Sequence, residues 1–194
     1  MKVKNTSEGY TLTELLVTVT IVGILSGISI VTFAKNWRDE RVKAATRETA
    51  AWLEEARTIA LQSSTPCRVT INQETAVISI DPNADANDTN AYCPADKLQP
   101  LRLRSSIQGG VDLEICTAQM SMSDPASYAL PCTGEQSGSS ILRFTPRGTA
   151  IDGTLIKLHL EQANTDRCIA VMSPLGQIRS GRATTSGCDF TTAF

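Results

Sequence analysis

GYTLTELLVTVTIVGILSGISIVTFA, residues 9–34, decides how this chain is read. It holds a single acid, Glu14, and from Leu15 to Ala34 there are 20 residues without a charge. As an α-helix rising about 1.5 Å per residue, that run would cross the roughly 30 Å of hydrocarbon in a bilayer. A carboxylate at the mouth of such a segment costs free energy, about 2.5 kcal/mol or more if carried to the centre, so Glu14 calls for a partner charge or a functional role. Thr13, Thr18 and Thr20 add polarity at modest cost, because a threonine hydroxyl can bond back to a carbonyl of its own helix. No proline interrupts the run, and Gly23 and Gly27, four residues apart, leave room for bending or for close approach of a second helix.

Ahead of it lies MKVKNTSEG, a short polar stretch with Lys2 and Lys4 and no apolar core of its own. A secretory signal is cut after its apolar region, whereas the small-residue junction here, Gly9 followed by Tyr10, comes before it. Cleavage at that junction leaves the apolar helix on the mature chain.

Leader, Gly9, Tyr10, Thr11, Leu12, Thr13, Glu14, Leu15 and Leu16, in that order, resemble the class III leader of type IV prepilins and type II secretion pseudopilins. The resemblance implies cleavage after Gly9 by a prepilin peptidase, N-methylation of Tyr10, and an assembly role for Glu14, which would meet the N-terminal amine of a neighbouring subunit. Pairing in a low-dielectric bundle suits that role, since removing either partner strands a buried charge. Tyr10 stands where phenylalanine is commoner in the family.

Helical periodicity runs on past the apolar segment. Val42, Ala45, Thr49, Trp52, Leu53, Ala56 and Ile59 form an i, i+3, i+4, i+7 stripe, with Arg38, Arg41, Arg47, Glu48, Glu54 and Glu55 on the other side. One helix from about Leu12 to Gln62 is predicted, ended by Ser63, Ser64 and Pro66. Beyond it the period becomes two. Strands are expected at 68–72, 76–81, 101–104, 111–116, 141–145, 155–160 and 168–172, with a short last one at 177–179. Long polar loops are expected at 81–96 and 121–140. The predicted fold is α+β and pilin-like, a long N-terminal helix packed on a C-terminal antiparallel β-sheet domain. Residues 1–9 form the leader, 10–35 a transmembrane or filament-core helix, and 36–194 the amphipathic continuation with an extracytoplasmic β domain.

A net charge of −2 and 41% hydrophobic residues exclude a disordered or a generally nucleic-acid-binding chain. Removing the leader leaves room for one long helix and one globular domain of about 130 residues. Residues 65–140 are acidic and residues 141–194 mildly basic, an asymmetry that a mixed solvated surface also produces. Six cysteines, Cys67, Cys93, Cys116, Cys132, Cys168 and Cys188, all follow the apolar segment and contain no CxxC pair. An even number in an exported domain favours disulfides. Nearest-neighbour pairing, which closes the shortest loops, gives Cys67 with Cys93, Cys116 with Cys132 and Cys168 with Cys188. With His159 the only histidine, no metal site is expected.

The C-terminal half narrows the resemblance. Phe144, Thr145, Pro146, Arg147 and Gly148, then LIKLHL, then CIAVMSPLGQIRSGR resemble the closing segment of the GspH/FimT group of minor pilins and pseudopilins. Some members bind DNA through a Gly-Arg-x-Arg motif. Here Gly176, Gln177, Ile178 and Arg179 lack one arginine, so Arg179 and Arg182 are the candidate phosphate contacts, with Arg147 and Arg167 as further cations. No aromatic residue lies beside them for base stacking.

His159 alternates faces with Leu158 and Leu160 and has no evident acid, base and nucleophile around it, so no enzyme is expected. Asp81, Asp85 and Asp88 lack the spacing and closing glutamate of a calcium loop. The expected function is that of a type IV minor pilin that is incorporated into, initiates or caps a filament. The alternatives are a type II secretion pseudopilin and a DNA-binding minor pilin in DNA uptake. No cofactor is implied; the implied partners are other pilins or pseudopilins, the prepilin peptidase, the inner membrane and, in the third reading, DNA. Lys2 and Lys4 place the globular part in the periplasm before assembly and at the cell surface, in a pilus or pseudopilus, afterwards.

Overall fold

The structure, a computed structural model, describes residues 9–81, 92–103, 113–120, 138–160, 163, 165–184 and 187–191, and for residues 28–35 the backbone alone. Lys2, Lys4, Asp85, Asp88 and Cys132, singled out above, lie outside the described residues. The chain divides into two units, Met1–Trp37 and Arg38–Phe194.

A single helix, α1, runs over Leu12–Ser63. Ser64 takes a positive φ of 54°, and Pro66 could not donate to a further turn. Within the second unit Val42, Thr46, Thr49, Trp52, Leu53, Ala56 and Ala60 are buried, the spacing of one helix face. The two buried threonines donate to carbonyls one turn back, Thr46 Oγ1 to Val42 at 2.6 Å and Thr49 Oγ1 to Ala45 at 2.8 Å, so neither hydroxyl is stranded. Trp52 donates its Nε1–H to the Gln99 carbonyl at 2.8 Å, tying the helix to the segment before the third strand.

Among the described residues nine strands follow: β1 Cys67–Asn72, β2 Val77–Ile80, β3 Leu101–Arg102, β4 Leu113–Met120, β5 Ser139–Phe144, β6 Gly153–Leu160, β7 Arg167–Met172, β8 Gln177–Thr184 and β9 Gly187–Asp189. They form two antiparallel sheets, ordered β3-β2-β1-β5 and β4-β6-β7-β8-β9, in keeping with the expected α+β fold with an antiparallel β domain. Alternation marks strands but not their partners, and here β4 crosses to the second sheet before β5 returns to the first. Val69 and Ile71 of β1, Leu142 and Phe144 of β5, Ile156 and Leu158 of β6 and Ile169 and Val171 of β7 join Val42, Leu53 and Ala56 of α1 in one apolar core. A second, smaller cluster of Leu155, Cys168, Ala170 and Cys188 lies on the other face of the five-stranded sheet.

That second cluster is closed by the last two strands. The last strand was expected to end at Arg179; instead β8 runs to Thr184 and β9 pairs back on it, Arg182 opposite Asp189 and Thr184 opposite Gly187. A disulfide between Cys168 of β7 and Cys188 of β9, with Cα atoms 6.0 Å apart, reaches across β8 at Gly181, the register partner of Cys168. A second disulfide joins Cys67 to Cys93, Cα atoms 4.9 Å apart, and the Cys93 amide donates to the Pro66 carbonyl at 2.9 Å. Cys116 is disulfide-bonded as well.

Three segments meet at the C-terminal end of α1. Arg57 donates Nε–H to the Gly148 carbonyl at 2.7 Å and Nη2–H to the Leu175 carbonyl at 3.4 Å, joining the helix to the turns after β5 and after β7. The turns also bind each other: the Ala150 amide donates to the Pro174 carbonyl at 3.1 Å, and Ser173 Oγ lies within 3.1 Å of the Ala150 carbonyl and 3.0 Å of the Ile151 carbonyl. Gly176 has φ +65°, and a Cβ on it would stand 2.4 Å from the Gly148 carbonyl oxygen, so no other residue fits without moving backbone.

Candidate functional site

At the head of α1 the chain organises the residues that the leader motif singles out. Gly9 and Tyr10 precede the helix and are exposed. Thr11 is the residue before the first helical position, and its Oγ1 accepts the Glu14 amide hydrogen at 3.3 Å. The Thr11 carbonyl accepts the first helical bond, from the Leu15 amide, at 3.1 Å. Thr11 to Glu14 is thus a T-x-x-E sequence with its threonine half in capping geometry. The T-x-x-E spacing is legible in the sequence and marks Thr11 as the local support of Glu14.

Glu14 sits in the first turn, where a carboxylate is favoured by the positive end of the helix dipole. Its side chain makes no ion pair among the described residues of this single chain. The helix it heads is apolar on every side: Leu15, Leu16, Val17, Val19, Ile21, Val22, Ile24 and Leu25 are all exposed. Burying each would gain about 1.5–3 kcal/mol, so this surface requires an apolar surround that the chain does not itself supply. The polar side chains within it are satisfied locally. Thr18 Oγ1 donates to the Leu15 carbonyl, Thr20 Oγ1 to the Val17 carbonyl, both at 2.8 Å, and Ser26 Oγ to the Val22 carbonyl at 2.7 Å. Gly23 and Gly27 touch nothing within 4 Å of where a Cβ would stand. Among the described residues no helix is long and apolar enough to cross a membrane; the uncharged run of the sequence continues into residues 28–35, whose side chains lie outside them.

The two C-terminal arginines do not converge. Arg179 and Arg182 lie three apart on one continuous strand, which puts them on opposite faces. Ile178 packs into the core under α1 and Ala183 into the smaller cluster, so Arg182 is on the helix side and Arg179 on the other. Arg167, opposite Arg182 in register, is 3% exposed. Burial, and then the Arg182 charge, lower the pKa of its guanidinium, while Asp39 and Glu40 of α1 act the other way. Arg147 sits in the turn after β5.

His159 does not stand alone. Its Nδ1 lies 2.7 Å from Oδ1 of Asp166, whose other oxygen takes Lys157 Nζ at 2.8 Å. Lys157 and His159 are two apart on β6, so one carboxylate from the approach to β7 bridges both. The arrangement joins neighbouring strands and brings up no nucleophile. Among the described residues no group of three His, Cys, Asp or Glu side chains could hold a metal ion.

Residues 4–30 match the family model described as the prokaryotic N-terminal methylation motif. No curated protein matches the chain. Among solved structures, the chain is similar to the type IV minor pilin FimU of Pseudomonas aeruginosa strain PAO1, with a TM-score of 0.46 and 14% sequence identity over 77% of this chain and 93% of that one. The motif covers Gly9, Tyr10, Thr11 and Glu14 and heads a helix followed by antiparallel sheets. The chain therefore carries a prokaryotic N-terminal methylation motif at the head of an α+β fold, a long helix followed by antiparallel sheets.

Proposed function

We propose that this protein is a minor pilin of a type IV pilus, cleaved after Gly9, N-methylated at Tyr10, and held by its N-terminal helix first in the inner membrane and then in the filament. The observation that carries the reading is the methylation motif joined to a helix whose residues 15–25 expose apolar side chains on all sides. Such a helix requires lipid before assembly and neighbouring helices after it. Glu14 then pairs with the N-terminal amine of another subunit, which fixes the axial register of the bundle. On this reading residues 1–9 are the leader, 10–35 the filament-core helix, and 36–194 the part exposed outside the cytoplasm, where disulfides are stable.

Two measurements test it. Mass spectrometry of the protein recovered from sheared filaments is expected to find a chain that begins at N-methylated Tyr10; an intact leader overturns the proposal. Glu14→Ala is expected to leave synthesis and membrane insertion unchanged and to reduce incorporation about tenfold or more, whereas normal incorporation would sink the pairing. Loss of protein secretion without any filament phenotype would assign the chain to a type II secretion system as a pseudopilin. Arg179 and Arg182 stand on two faces of β8, so in the DNA-uptake reading they would not contact one phosphate run together.

A further inference from the structure

We infer that Leu61, Ile151 and Leu175 form a docking face for a different subunit of the same assembly, one that presents an apolar surface flanked by a carboxylate. The inference rests on the minor-pilin reading and adds to it the place and chemistry of a contact outside the N-terminal helix. Among the described residues of Arg38–Phe194 these three are the exposed large apolar side chains, at 46%, 52% and 68%. They gather at one junction. Leu61 lies against Gly148, its Cδ atoms 3.2 Å from where a Cβ would stand; Ile151 accepts from Ser173 through its carbonyl; and Leu175 follows in the same turn.

The folding of that junction does not need the apolar side chains it displays. Its shape is set by backbone groups: the Gly148 and Leu175 carbonyls on Arg57, the Pro174 carbonyl on Ala150, and the positive φ of Gly176. A polar residue at 175 would serve the turn equally well and avoid exposing an apolar surface. Turns are ordinarily mobile, yet this pair is tied to the helix and to each other, so a partner would meet a surface already ordered. Exposed apolar anchors on a pre-organised frame are the pattern of an interface centre.

Charge selects the partner. Glu54 is paired with Arg57 at 3.4 Å and Asp152 with Arg143 at 3.1 Å, while Arg147, exposed beside Gly148, has no ion pair among the described residues. The face is therefore apolar with one uncompensated cation. A two-fold contact between copies of this chain would bring together two faces that each carry Arg147 and have Glu54 and Asp152 already paired, so the complementary surface belongs to a different subunit and carries a carboxylate.

The test uses the full chain in filament-forming cells. Leu175→Asp, alone and with Leu61→Asp, is expected to lower recovery in sheared filaments at least tenfold, with membrane level and disulfide oxidation unchanged. A photo-crosslinking residue at 175 in the otherwise unaltered chain is expected to yield an adduct with another pilin at a peptide containing Asp or Glu, and Arg147→Glu to lower that yield. Undiminished incorporation of the Leu61→Asp/Leu175→Asp chain, or adducts to lipid or to a second copy alone, would overturn the docking face. Wild-type protein absent from filaments would overturn the minor-pilin reading and the docking with it; wild type present beside an undiminished variant overturns the docking alone.

Discussion

Gly181 of β8 lies directly against the backbone of Asp189: a Cβ built on Gly181 would stand 2.2 Å from the Asp189 carbonyl oxygen, 2.9 Å from its carbon and 3.0 Å from Cδ1 of Phe190. The chain after β8 folds back over this position and is fastened there by the disulfide from Cys188 to Cys168, the register partner of Gly181. The glycine of the terminal Gly-Arg pair is thus required by packing.

Gly181→Ala is therefore expected to destabilise the protein by about 1–3 kcal/mol or more, because the obstructing atoms are backbone and cannot rotate aside. Urea unfolding of the full chain in detergent measures the loss. Amide exchange should localise it to residues 182–184 and 187–189. A change within about 0.5 kcal/mol would show that the backbone around Asp189 shifts freely.

The same geometry couples Gly181 to the disulfide. Replacing Cys188 by serine opens a cross-link between residues 20 apart in sequence, for which about 3 kcal/mol is the ordinary cost. With β9 no longer held over β8, the added methyl of Gly181→Ala has somewhere to go. The double variant should be less destabilised than the sum of the two single variants by about 1 kcal/mol or more. Strict additivity would mean that β9 keeps its place without the disulfide.

Legibility in the sequence followed the range of the interactions. The helix was readable nearly to its last residue, since the stripe from Val42 to Ile59 and the stop at Ser63, Ser64 and Pro66 are local signals. Seven strands were placed within a few residues for the same reason. Three features were not readable: the division into two sheets, the extension of β8 to Thr184, and β9. Each depends on which distant backbone a segment meets, and a glycine needed for space, as Gly181 is, is indistinguishable in sequence from one needed for a turn. At the head of the helix Glu14 was recognised by its charge, while Thr11, its local support, was missed although the T-x-x-E spacing was in view.

At the other end of the domain, Arg57 links α1 to two turns through carbonyls, not through a carboxylate. Arg57→Ala leaves the Gly148 carbonyl without its donor and should cost about 1–3 kcal/mol. Arg57→Lys keeps the charge but cannot span two acceptors with a rigid fork, so it should recover less than half of that loss. Full rescue by lysine in a thermal unfolding series would show that the positive charge near Glu54, and not the forked geometry, is what matters.

Thr11 offers a way to separate the charge of Glu14 from its placement. Its hydroxyl oxygen accepts the Glu14 amide hydrogen at 3.3 Å, so Thr11→Ala removes the cap while leaving the carboxylate in the sequence. The expected cost is about 1 kcal/mol of helix start, enough to fray the first turn and spread the position of the Glu14 side chain. If Glu14 acts by meeting an amine at one axial position, fraying should reduce filament incorporation about two- to tenfold, less than Glu14→Ala does. Thr11→Ser keeps the acceptor oxygen and should restore incorporation, because serine is as good a cap as threonine. Quantifying each variant in sheared filaments against its membrane level checks the order wild type, Thr11→Ser, Thr11→Ala, Glu14→Ala. Equal incorporation of Thr11→Ala and wild type would mean that the neighbouring subunit alone positions the carboxylate and that the cap serves only the free chain.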